Sequence, residues 1–189
     1  MCGIVGSIQI GEIEPYRNEV RRAMACLAHR GPDGEGYKEF ALARGISPEE
    51  MSLRALARTV GAEACVRFLG YVPADELPAL YAACDIFAMP SRALSRRDGI
   101  EGFGIVFLEA AAASKPVVGG RSGGIPEAVH DGVTGRLVDP DDVDQLAEVL
   151  IDLLRDHDLA ARLGTNGRRE VEAAEAAWRA TLRRIWEAP

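Results

Sequence analysis

Two glutamates eight positions apart, Glu101 and Glu109, bracket the run Gly102-Phe103-Gly104-Ile105. The stretch IVFLEAAAAS that follows reads as a helix, which puts the glycines at its start. A helix's first turn carries N–H groups with no intrahelical partner and a partial positive charge, so it can hold a diphosphate. Gly102 and Gly104 leave that backbone bare for close approach. Ile105 and Glu109 are four residues apart and share a face, so Glu109 lies on the side that begins at the phosphate position. A carboxylate there can accept two hydrogen bonds from a ribose diol. Glu101, in the loop, would reach another part of the ligand, such as sugar hydroxyls. The neighbours of Glu109, Ile105 to Leu108 and Ala110 to Ala113, are apolar nearly all round, so Glu109 is expected to be largely buried and to need a partner. The plainer reading makes Glu101 a solvated loop acid and Glu109 a surface acid on an amphipathic helix.

Two other groups draw notice. The cluster GGRSGGIPE sets Gly123 and Gly124 just ahead of a short helix, either a second anion-facing terminus or a plain strand-to-helix turn. The four cysteines, Cys2, Cys26, Cys65 and Cys84, form no CxxC pair, so no zinc site is expected. Cys26, Cys65 and Cys84 lie in apolar stretches and are expected in the core as reduced thiols.

The elements around these residues alternate. A helix starts at Ser47-Pro48 and is followed by a strand, VRFLGYV, over 66–72. A short helix runs through DELPALYAAC, and a strand, IFAMPS, stops at Pro90. After the glycine-started helix come a buried strand, KPVVGG, a helix of one to two turns ended by Gly132, and the strand GRLVD. Asp139 to Asp142 cap a helix carrying Val143, Leu146, Ala147, Leu150 and Leu154 on one face. Two more helices are expected, the last with Trp178, Leu182, Ile185 and Trp186 on one stripe. Strands alternating with helices imply an α/β, Rossmann-like parallel sheet with flanking helices, its ligands beyond the carboxyl ends of the strands. A compositional shift near Phe40 divides the chain into a short strand-containing segment, 1–40, and a domain, 41–189.

In order, FLGYV, AMPS, EGFGIVFLEA, PVVGGRSGGIPE and GVTGRLV resemble the C-terminal, nucleotide-sugar-binding domain of the family 4 retaining glycosyltransferases, which have the GT-B fold. The resemblance covers roughly residues 47–189. It implies hexosyl transfer from a nucleoside-diphosphate sugar such as UDP- or GDP-hexose, with no cofactor and no metal. Glu101 then contacts the donor sugar and Glu109 binds the ribose. The backbone at Phe103 to Ile105 holds the β-phosphate and sugar, and the backbone from Gly70 to Val72 lies near the base. The chain departs from the family in lacking two recognisable opening strands, whose Arg and Lys clamp the diphosphate, and the acceptor-binding half. An incomplete or chimeric chain with little activity alone is therefore expected, completed by a missing N-terminal half or a homo-oligomer. The strand-like GIVGSIQI is the one spare segment for the gap in the sheet.

MCGIVGSI and HRGPDGEGY resemble the start of class II glutamine amidotransferases, most closely asparagine synthetases. In that family the thiolate of the residue at Cys2 attacks glutamine's amide. The remaining glutamine-binding and oxyanion residues of that family are absent, so Cys2 is expected to be vestigial. An amidotransferase fragment and a non-catalytic nucleotide-binding module remain the alternative functions.

The charge balance bounds the partners. With 22 basic and 29 acidic residues the net charge is −7, which argues against general nucleic-acid binding. No apolar run reaches about 18 residues, so no membrane span is expected, while peripheral membrane contact stays open. The N-terminus has neither the basic start nor the long apolar core of a secretion signal, which points to the cytoplasm.

Overall fold

A computed structural model describes residues 48–69, 72–91 and 104–186, with side chains from 51 to 180 within those spans. Helix α1 (Pro48–Thr59) opens with Pro48 at its first position, as the sequence requires. A single 3₁₀ turn, Glu63–Cys65, follows. Then come α2 (Leu77–Ala83), β1 (Phe87–Met89), α3 (Ile105–Ala112), β2 (Val117–Gly120), α4 (Ile125–Ala128), β3 (Gly135–Val138), α5 (Val143–Arg155) and α6 (His157–Trp186).

The three strands form one parallel sheet in the order β1-β2-β3, with Phe87 opposite Val117 and Val117 opposite Gly135. Side chains alternate across it, as strand geometry demands. Val118 and Val138 enter a core with Leu146, Leu150, Leu153 and Leu163 from α5 and α6. Phe87, Val117 and Leu137 enter a second core with Tyr81, Phe107 and Ile125 from α2, α3 and α4. Helices thus cover both faces, the α/β Rossmann-like arrangement expected. Phe87 and Phe107 are fully buried, each contributing about 1.5–3 kcal/mol. Tyr81, Phe87 and Phe107 stack edge to face in sequence, with centroids 5.6 Å apart at each step.

Asp142 caps α5 as the sequence indicated, its side chain accepting from the Gln145 N–H at 2.8 Å. Four expectations need correction. First, no strand forms at 66–69, and 70–71 lie outside the described residues. Val66 has strand-like dihedrals, but the segment packs on helices instead, with the Arg54 guanidinium 4.6 Å from the centre of the Phe68 ring. Propensity supplies an extended chain; a ladder needs a neighbouring edge. Second, α4 ends at Ala128, and Gly132 instead occupies the left-handed turn (φ 74°) before β3. Third, the residues after α5 form one 30-residue helix, α6, rather than two. Its glycines are packing positions: a Cβ on Gly164 would overlap the Ser114 carbonyl, and one on Gly167 would lie 3.1 Å from the Ala111 Cβ. Trp178, expected on an apolar stripe, is exposed. Fourth, Cys84 is buried but Cys65 is exposed, because its 3₁₀ turn contributes no buried residue. Cys2, Cys26 and the spare segment GIVGSIQI lie outside the described residues.

Candidate functional site

The carboxyl ends of β1 and β2 meet where Gly120 passes so close to the Ser91 carbonyl that no Cβ would fit between them. Helix α3 begins at Gly104, one of the two glycines expected there. Gly104 is buried, with φ 76° and ψ 58°, a left-handed conformation that glycine adopts without steric cost. A Cβ on it would stand 2.7 Å from Cδ2 of Phe107, whose ring fills the space beneath. Phe107 N–H donates to the Gly104 carbonyl at 2.9 Å, closing the first turn. Among the described residues no side chain caps this end; the first amides of a helix have no intrahelical acceptor and suit an anion.

The helix presents two different sides. Phe107, Ala110 and Ala111 are buried, whereas Ile105 and Glu109 are exposed, Ile105 at 63%. The expectation of a largely buried Glu109 is therefore overturned. An apolar composition all round did not mean packing all round: among the described residues the face that carries positions 105 and 109 is only partly covered. The two residues do share that face, as their spacing required.

Glu109 nonetheless has a partner. Its Oε2 accepts a 2.8 Å hydrogen bond from the Tyr81 hydroxyl, donated from α2, 28 positions earlier in the chain. Burial, then the hydrogen bond to Glu109, hold the Tyr81 hydroxyl far above the ordinary tyrosine range, so it stays a donor. Sequence reasoning missed Tyr81: LPALYAAC reads as a helix, and no spacing rule links position 81 to position 109.

Beyond β2, Arg121 is the cation nearest the strand ends in sequence, but it is engaged. Its guanidinium donates to Asp131 at 3.0 Å and to the Leu137 carbonyl at 3.2 Å. Though its side chain is more than half exposed, it braces the β2–β3 loops through these two partners. No group of three or more His, Cys, Asp or Glu suited to a metal occurs among the described residues. Of the expected site residues, Gly104, Ile105 and Glu109 come together on α3. Val72 is described and half-buried. Glu101, Gly102, Phe103 and Cys2, with Gly70 of the expected base-binding backbone, lie outside the described residues. The arrangement sets a glycine-started helix, with no side-chain cap among the described residues, and a carboxylate one turn further along at the carboxyl ends of a parallel sheet.

Residues 36–170 match the family described as glycosyl transferases group 1. The match begins ahead of the division placed at residue 41. Among curated proteins, the chain is 46% identical over 135 residues to a GDP-mannose-dependent alpha-(1-6)-phosphatidylinositol monomannoside mannosyltransferase of Mycobacterium tuberculosis, a match covering 71% of this chain and 34% of that protein. It is 34% identical over 181 residues to a D-inositol 3-phosphate glycosyltransferase of Corynebacterium glutamicum, covering 93% of this chain and 41% of that one. Among solved structures, Anabaena Alr3699/HepE in complex with UDP-glucose superposes with a TM-score of 0.62 at 26% identity, over 86% of this chain and 42% of that one. Sucrose-phosphate synthase from Thermosynechococcus elongatus also gives 0.62 at 26% identity, over 95% and 45%. The chain thus spans between a third and a half of the length of these relatives.

Proposed function

The chain belongs to the glycosyl transferases group 1 family, and from that premise we propose that it forms the nucleotide-sugar-binding half of a retaining glycosyltransferase. The donor is a nucleoside-diphosphate hexose. Glu109 grips the ribose diol, and the backbone from Phe103 to Ile105 takes the β-phosphate and sugar. Glu101 contacts the donor sugar, and the backbone from Gly70 to Val72 lies near the base. The observation that carries the reading is the start of α3: a left-handed Gly104 with no side-chain cap among the described residues, followed about one turn on by a carboxylate held by Tyr81.

The relatives named for GDP-mannose and the structural neighbour holding UDP-glucose support both nucleotides as candidates. Transfer itself belongs to an assembly in which a further segment or a second chain supplies the acceptor half. A relative named for phosphatidylinositol monomannoside supports a lipid-linked acceptor. No helix among the described residues is long and apolar enough to cross a membrane; such an acceptor would be met by peripheral contact at the cytoplasmic face. The amidotransferase resemblance of Cys2 stays with its sequence motif alone.

Calorimetric titration with GDP-mannose and UDP-glucose tests the reading. Glu109→Ala should weaken binding by about 10- to 100-fold, the loss of one or two hydrogen bonds to a charged group. Binding that is absent in the wild-type chain, or unaltered in Glu109→Ala, would overturn it.

A further inference from the structure

We propose that Tyr81 is a positioning residue that fixes the Glu109 carboxylate for a ribose diol. The inference rests on the reading of Glu109 as the ribose-binding group and extends it to a residue two elements away.

An exposed glutamate on a helix ordinarily samples several rotamers, and ordering it on binding costs affinity. Glu109 is exposed, but its Oε2 is tied at 2.8 Å to a hydroxyl that cannot wander. Tyr81 is 5% exposed and packs edge to face against Phe87, which packs in the same way against Phe107 of α3 itself. The Tyr81 hydroxyl is thus anchored to the two elements that frame the site, β1 and α3. With one oxygen held, the carboxylate's freedom is reduced before the ligand arrives, leaving Oε1 for a vicinal diol. Ile105, on the same helical face, is exposed as well. A merely structural Tyr81–Glu109 bond would affect folding and leave ligand discrimination untouched.

The test uses the whole chain and four probes: GDP, UDP and their 2′,3′-dideoxy counterparts. The wild-type chain should bind the ribonucleotide at least about tenfold tighter than the dideoxy form. Tyr81→Phe keeps the ring packing and leaves Glu109 in contact with water, so its unfolding midpoint should stay close to wild type. It should lose most of the ribose preference, weakening the ribonucleotide about three- to tenfold while leaving the dideoxy form unchanged. A Tyr81→Phe chain that keeps the full preference overturns the positioning role and leaves the Glu109 reading standing. A wild-type chain with no ribose preference, or with no affinity for either nucleotide, overturns both. If Tyr81→Phe fails to fold, Glu109→Gln provides the second variant. Its amide oxygen still accepts from Tyr81, so it should retain part of the preference that Glu109→Ala loses. Equal loss in Glu109→Gln and Glu109→Ala would overturn the positioning role.

Discussion

Gly164 of α6 lies against the backbone carbonyl of Ser114, the left-handed residue (φ 59°) just past the end of α3, with no room for a Cβ between them. The long helix therefore touches the tail of the site helix through backbone. Gly164→Ala should push the two helices apart and cost about 2–3 kcal/mol in urea unfolding, as overpacking does. Gly132 provides the contrast. Its φ of 74° also disfavours alanine, but nothing stands within 4 Å, so Gly132→Ala should cost only about 1 kcal/mol. Nucleotide affinity should fall in Gly164→Ala and persist in Gly132→Ala. Equal costs in the two variants would contradict the close crossing.

Gly104 tests the helix start directly. Alanine there must adopt a left-handed backbone and displace the Phe107 ring, 2.7 Å from the new methyl. Gly104→Ala should lower the melting temperature by a few degrees and weaken nucleotide-sugar binding about tenfold or more, read by titration. A destabilised chain with unchanged affinity would show that the phosphate does not sit at this helix end.

Asp131 gives a pH dependence with a definite sign. Burial pushes its carboxyl up, but the Leu137 N–H, the Arg121 guanidinium and nearby Arg136 more than offset this and hold it below the ordinary range. The folded state therefore favours the ionised form. The resulting stability is present above the unfolded-state value of about 3.9 and disappears as pH falls through the lower folded value. Because the side chain is 38% exposed, the contribution is at most about 1 kcal/mol. Asp131→Asn should be less stable than wild type at pH 7 and converge on it as pH falls through and below the ordinary carboxylate range, measured as urea midpoints across that range. A constant difference at all pH values would mean that the charge is not what matters.

Much of the architecture was legible from local pattern. The strands at Phe87–Met89, Val117–Gly120 and Gly135–Val138 are short apolar runs bounded by Pro, Gly or Asp. Their alternation with helices admits few arrangements other than a parallel sheet. The Asp142 cap was readable because a cap acts within three residues. The failures lie where a distant neighbour decides. Residues 66–69 have strand propensity but found a helix to pack on. The glycines of α6 look like helix breakers, yet they are required by Ser114 and Ala111, about 50 positions earlier.

On its own, the chain's order of residues determined that Ile105 and Glu109 lie on one helical face behind a glycine start, because a 3.6-residue period and the steric freedom of glycine act over a single turn. Only the tertiary structure decided that Ile105 and Glu109 are exposed and that the Glu109 carboxylate is held by Tyr81. Exposure and the meeting of side chains 28 positions apart depend on how α2 and α3 pack beside β1, and no local periodicity carries that information.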